Sequence, residues 1–83
     1  MLYKFTISGG IEMWNVVKME NGVEVEDYGN IAASNIRELV NKLKRRFGVN
    51  TFTYEKWEHM KSPTYNIYEP GNDRTWLVAS KWN

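Results

Sequence analysis

Cysteine is absent from this sequence, which also has one histidine, two prolines and no apolar run longer than a few residues. Small secreted domains usually depend on disulfides, so the absence of cysteine favours an intracellular, cytoplasmic location. A membrane-spanning helix needs about 20 apolar residues, and without such a segment we expect no membrane partner. The net charge of +1 is lower than that of a dedicated DNA-binding domain, and it is far from the acidity of a DNA mimic.

Groups that carry catalysis are equally scarce. The single histidine, His59, lies beside Met60 in a predicted loop, and no sequence motif pairs its imidazole with an orienting carboxylate. Glu24, Glu26 and Asp27 lie within a predicted strand, so they lack the loop spacing of a calcium site. Neither a phosphate-binding Walker loop nor a glycine-rich dinucleotide motif occurs. We therefore predict a protein that is not an enzyme, with no catalytic residue, no cofactor and no metal site.

What the chain does contain is typical of a small globular domain. Its 83 residues fit one compact domain, 1–83, and twelve aromatic residues argue against disorder. Residues with AT-rich codons, such as lysine, asparagine and isoleucine, outnumber those with GC-rich codons. This bias suggests an AT-rich genome, so a phage or a mobile element is a candidate source.

Alternating apolar residues predict six strands, at residues 2–8, 12–19, 23–28, 51–57, 64–69 and 75–82. Asn21 and Gly22 join the second and third strands. A three-residue loop with Gly22 in the left-handed region sets Lys18 opposite Glu24, and we prefer it to a two-residue turn. This register predicts one apolar face containing Val17, Met19, Val23 and Val25, and it places Trp14, Val16 and Tyr28 on the other face.

One helix is predicted after the third strand. Asn35 and Glu38 have the spacing of a capping box, and Gly48 is placed to end the helix. Between them, an apolar stripe consists of Ile36, Leu39, Val40, Leu43 and Phe47. The fold class is therefore α+β, with a mostly antiparallel sheet of five or six strands in βββ-α-βββ order and one amphipathic helix packed on it. An OB-like, partly open barrel is the alternative, because its helix also follows the third strand.

A surplus of aromatic residues is the strongest functional signal. One helix can cover only one face of the sheet, yet in several strands aromatic residues occur at both odd and even positions and so point to both faces. Tryptophan and tyrosine anchor protein interfaces, and they also stack on single-stranded nucleic acid when cations are interleaved with them. The candidate interface residues are Trp14, Tyr28, Tyr54, Trp57, Tyr68, Trp76 and Trp82.

A basic cluster marks the end of the predicted helix. Lys42, Lys44, Arg45 and Arg46 are candidate phosphate-contacting residues, although the helix dipole alone also favours cations there. We expect a non-catalytic protein that acts through protein–protein interaction, such as an adaptor or an inhibitor. The first alternative is nucleic-acid binding through an aromatic and basic sheet face and the basic helix end. The second is a homo-oligomeric subunit, such as a homodimer that buries the uncovered face.

Overall fold

A five-stranded antiparallel sheet and one helix make up the described part of the chain. The structure is a computed structural model and describes residues 11–82. The elements are β1 (Glu12–Glu20), β2 (Val23–Ala33), α1 (Ile36–Phe47), β3 (Thr53–Lys56), β4 (Thr64–Tyr68) and β5 (Thr75–Lys81). This confirms the predicted α+β class with one helix, and the five described strands stand against the five or six expected. The strand predicted at residues 2–8 lies outside the described residues.

The strand order in the sheet is β2-β1-β5-β4-β3. The β1–β2 hairpin and the β3–β4–β5 meander join where β1 pairs with β5 in the middle of the sheet. Strands β2 and β3 therefore lie at opposite edges of an open sheet. The OB-like barrel is wrong for this reason, because closure would require its edge strands to meet.

The register of the β1–β2 hairpin differs from the prediction. Asn21 and Gly22 both have positive φ angles, of 51° and 82°, and they form a two-residue turn with Glu20 opposite Val23. Asparagine tolerates the left-handed region, so the tight turn forms without a third loop residue. Lys18 consequently pairs with Glu26 and not with Glu24.

Two β-bulges in β2 make this register possible. Met19 lies opposite Glu24 and Lys18 lies opposite Glu26, so Val25 is an extra residue in β2. A second shift falls between Asn15 and Val17, near Gly29, whose φ is +75°. Strand β2 therefore continues to Ala33, beyond the end predicted at residue 28. A regular two-residue turn would set Lys18 opposite Val25, and the first bulge sets it opposite Glu26 instead.

Helix α1 has the predicted caps at both ends. The Glu38 backbone N–H donates to Asn35 Oδ1 over 2.9 Å, and Gly48, at φ +67°, donates its N–H to the Lys44 carbonyl. The Glu38 carboxylate accepts hydrogen bonds from the Ser34 N–H and hydroxyl, at 2.5 and 3.1 Å. These hydrogen bonds from Ser34 lower the pKa of Glu38, because they stabilise its charged form.

The helix packs on the sheet face that carries Trp14 and Val16. The buried apolar core consists of Trp14, Val16, Ala33, Leu39, Val40, Leu43, Ile67, Leu77 and Ala79. Val16 pairs with Ala79, so the apolar residues of β1 and β5 meet on this face. The predicted apolar face is therefore wrong in part: Val17 and Met19 lie on the sheet face away from the helix, while Val23 and Val25 are exposed.

Candidate interaction surface

The sheet face opposite the helix, here called the open face, carries a patch of half-buried apolar side chains. Val17 lies opposite Val78, and Met19 lies opposite Trp76 in the β1–β5 register. Strand alternation places Tyr68 beside Trp76 on the same face. We call this set the apolar patch: Val17, Met19, Tyr68, Trp76 and Val78. The one helix among residues 11–82 lies on the other face, so it covers none of the patch.

A buried side-chain oxygen borders the apolar patch. Asn66 pairs with Val78 across β4 and β5, and its Oδ1 atom is buried with no hydrogen-bond partner among residues 11–82. A buried acceptor that makes no hydrogen bond costs about 1–3 kcal/mol. Asn66 shares a surface depression with Glu55 and Trp57. The open face therefore has an apolar centre beside a buried polar side chain.

Carboxylates flank the patch at its two strand edges, and Lys61 lines a depression with Ser80 and Trp82 further along the same face. Glu24 lies opposite Met19 and Asp27 lies opposite Val17 at the β2 edge, while Glu55 lies opposite Asn66 at the β3 edge. The strand lysines are on the other face: Lys18 pairs with Leu77, Lys56 with Tyr65 and Lys81 with Trp14. Within the described strands, the open face is thus apolar at its centre and acidic at both edges.

Four of the seven predicted interface aromatics belong to the open face or its border. Tyr68 and Trp76 are part of the apolar patch. Trp57 follows β3, is 40% exposed, and donates its backbone N–H to Thr64 over 2.8 Å. Trp82 is 60% exposed, and its indole N–H donates to Asn30 Oδ1 over 3.0 Å. Trp57 and Trp82 border the sheet, whereas Tyr68 and Trp76 lie within it.

The other three aromatics lie on the face that the helix covers. Trp14 is only 3% exposed, so its assignment to an interface is wrong. Its indole N–H donates to the Ala33 carbonyl over 3.3 Å, and its ring lies 5.9 Å from Tyr65. Tyr54 lies opposite Ile67 at the β3 edge, with its ring 6.1 Å from Tyr65. These contacts build one aromatic row on the covered face, and its core member is unavailable to a partner.

Tyr28 belongs to a separate cluster at the end of the helix. Its ring centroid lies 5.1 Å from that of Phe47, and the Arg46 guanidinium is 5.1 Å from the Tyr28 centroid. The Tyr28 hydroxyl donates to Glu26 Oε1 over 3.2 Å. Burial raises the pKa of Tyr28, and the Glu26 carboxylate raises it further, because both favour the neutral phenol.

The four basic residues do not converge on one surface. Lys42 Nζ donates to the Ala32 carbonyl over 2.5 Å, and Arg46 stacks on Tyr28. Lys44 is half-buried, while Arg45 is exposed. Two of the four cations therefore have partners within the fold, and the group lies on the helix, away from the open-face aromatics.

Residues 11–82 contain no group of three or more histidine, cysteine or acidic side chains placed to hold a metal ion. His59 Nε2 lies 3.8 Å from Glu58 Oε1, and both side chains are almost fully exposed. No helix in the described range is long and apolar enough to cross a membrane.

Comparison with known proteins identifies no relative. No protein-family model matches the chain, and neither the curated proteins nor the solved structures include one that is significantly similar to it. The chemistry and geometry of the open face are therefore the basis for assigning a function.

Proposed function

We propose that this protein is a non-catalytic binding module that binds another protein through its open face. The observation that supports this proposal is the apolar patch in the middle of the sheet, which the helix leaves uncovered. A partner surface that covers the patch would remove apolar area from water. Adaptors and inhibitors are the classes of protein that act in this way.

The composition of the patch is typical of an interface centre. Tryptophan, tyrosine and methionine are enriched at the buried centre of interfaces, and tryptophan and tyrosine supply much of the binding free energy. Trp76 and Tyr68 are neighbours here, and Met19 pairs with Trp76. We expect these three side chains to be the anchors of the interface.

The edges of the open face indicate the charge of the partner. Glu24 and Asp27 at one edge and Glu55 at the other favour lysine and arginine at the margins of the partner surface. Asp27 is partly engaged, because its Oδ1 accepts from the Gly29 N–H over 2.8 Å. The partner we propose is a protein with an apolar centre and a basic margin.

Nucleic-acid binding receives less support from this geometry. Stacking on single strands requires aromatic residues and cations on one surface. The apolar patch has acidic edges, and Lys42, Lys44, Arg45 and Arg46 belong to the helix on the opposite side of the sheet. Phosphate groups on the open face would meet Glu24, Asp27 and Glu55.

Site-specific photo-crosslinking can test the proposal. A photoreactive amino acid at Val78 probes the open face, and the same group at Arg45 on the exposed side of the helix is the control. We expect a protein crosslinked from position 78 and absent from position 45. The purified partner is then titrated by calorimetry against the wild type and against Trp76→Ala, Met19→Lys and Tyr54→Ala.

The proposal predicts that Trp76→Ala weakens binding by about 30-fold, which corresponds to about 2 kcal/mol for an interface anchor. Met19→Lys should weaken it similarly, whereas Tyr54→Ala on the covered face should change affinity less than about threefold. Circular dichroism checks that each variant folds. Crosslinks only to a second copy of this chain would support the homodimer instead. A crosslink to nucleic acid, or equal effects of Trp76→Ala and Tyr54→Ala, would contradict the proposal.

A further inference from the structure

A cavity that is partly open to solvent lies on the covered face of the sheet, beyond the C-terminal end of the helix. Its volume is about 160 Å³. Phe47 and Phe52 flank the segment that leaves the helix, Tyr28 contributes from β2, and Ile67 and Leu77 contribute from β4 and β5. Ile67 and Leu77 are core residues under the helix, and Tyr68 and Trp76 of the apolar patch also line the cavity.

The size and walls of the cavity fit one aromatic ring. An apolar cavity of about 150 Å³ is large enough to bind benzene. Aromatic rings favour tilted and edge-to-face contacts, which Tyr28 and Phe47 already make with each other at 60°. A ring in this cavity would contact aromatic and branched aliphatic side chains.

One cation also lines the cavity. Lys18 projects from β1 on the covered face, opposite Leu77, and is half-buried. Its ammonium group makes no hydrogen bond or ion pair with any residue in the range 11–82. Two carboxylates are near this cation: Glu69 lines the cavity, and Glu26 lies opposite Lys18 in the β1–β2 register. Both glutamates are exposed, so water screens their charges more strongly. A half-buried cation beside apolar walls favours a ligand with an apolar body and a negative group.

We propose that this cavity binds a small aromatic carboxylate, with the ring against Phe47, Phe52 and Leu77 and the carboxylate at the Lys18 ammonium. This site shares Tyr68 and Trp76 with the proposed protein-binding face, but it does not rest on that proposal. A ligand with one ring and one carboxylate has few atoms, so we expect a dissociation constant on the order of 0.1–1 mM.

The test is an NMR titration of the ¹⁵N-labelled full chain with benzoate, benzyl alcohol and benzylamine, which share a ring and differ in charge. Benzoate should produce saturable shifts at cavity residues such as Phe52 and Leu77. Benzyl alcohol should bind about 5–10-fold more weakly, since it lacks the charge-assisted hydrogen bond, and benzylamine should bind most weakly.

Three variants separate the ring contacts from the charge. Lys18→Met keeps most of the apolar stem, and we expect it to weaken benzoate binding about 5–10-fold and to leave benzyl alcohol binding unchanged. Lys56 is a lysine on the same face that does not line the cavity, so Lys56→Met should change the affinity for neither ligand. Val49→Phe adds volume to the cavity wall and should abolish binding of both ligands.

Each result supports or overturns the proposal. Equal affinity for the three ligands, or a Lys18→Met variant that binds benzoate like the wild type, would overturn the carboxylate assignment. Shifts that are absent, spread over the surface, or unchanged in a folded Val49→Phe variant would overturn the cavity as a binding site.

Discussion

Trp14 and Trp82 should respond very differently to truncation, although both belong to the set of aromatics predicted from the sequence. Trp14 is 3% exposed and sits among core residues, and its indole N–H is bonded to Ala33. Truncating a buried tryptophan to alanine costs about 3–5 kcal/mol. At about 0.05–0.15 kcal/mol per residue, a chain of 83 residues has about 4–12 kcal/mol of stability in total. Trp14→Ala should therefore remove a large part of the stability, or all of it.

Trp82→Ala is the matched control. Trp82 is 60% exposed and donates one hydrogen bond, to Asn30 at the surface. We expect a cost of no more than about 1 kcal/mol, because an exposed side chain loses little on truncation. Trp14→Phe is a milder core variant that should cost about 1–3 kcal/mol, because the Ala33 carbonyl loses a donor and a small void remains.

Urea denaturation followed by far-ultraviolet circular dichroism measures these costs without depending on tryptophan fluorescence. The order of unfolding free energies should be wild type, Trp82→Ala, Trp14→Phe and Trp14→Ala, with the most stable first. A cost below about 1 kcal/mol for Trp14→Ala, the range of surface substitutions, would refute the placement of Trp14 in the core. A Trp82→Ala variant as unstable as Trp14→Ala would refute the distinction between the two faces.

Two further predictions concern the ends of the helix. Hydrogen bonds from Ser34 hold the pKa of Glu38 below its ordinary value of 4.5, so the stability that they contribute is present above that value and is lost as the pH falls through the folded-state pKa. In thermal melts from pH 7 to pH 3, the Glu38→Gln variant should therefore lose less stability on acidification than the wild type. An identical loss in both proteins would contradict the cap. Gly48 has a φ of +67° in open space, so Gly48→Ala adds backbone strain without a clash. It should cost about 1 kcal/mol, or about 4–8 °C in Tm by calorimetry, and an unchanged Tm would argue against the left-handed cap.

The helix was predictable because its signals are local. The cap at Asn35, the apolar stripe and the terminating Gly48 all lie within fourteen consecutive residues, and the structure confirms each of them. The hairpin turn was less predictable, since Asn21-Gly22 permits more than one loop length and the two bulges follow from pairing along the whole of β2. Alternation alone therefore predicted the strands but not their register.

The face that the helix covers could not be predicted from β1 and β2 alone. Val17 and Met19 are as apolar as Val16, and the choice depends on Ile67 and Leu77 in strands distant in sequence. This explains why Trp14 was expected at an interface and lies in the core. Tyr68, Trp76 and Trp82 were candidate interface residues because of their residue type and because aromatic residues fall on both faces of the predicted strands. Nothing in the sequence marked Asn66, because an unpaired acceptor is a property of the assembled sheet.

The two bulges in β2 also determine how this sheet edge meets other chains. A regular edge strand of eleven residues would present an even row of unpaired backbone groups to a neighbouring strand, which is a common route to aggregation. Each bulge interrupts that row and increases the local twist, and Glu24, Glu26 and Asp27 place negative charge along it. If the β2 edges of two chains came together, their backbone hydrogen-bonding groups would not align and their carboxylates would repel each other. The longest edge of the sheet is thus protected against strand-to-strand polymerisation, while the open face keeps its apolar centre.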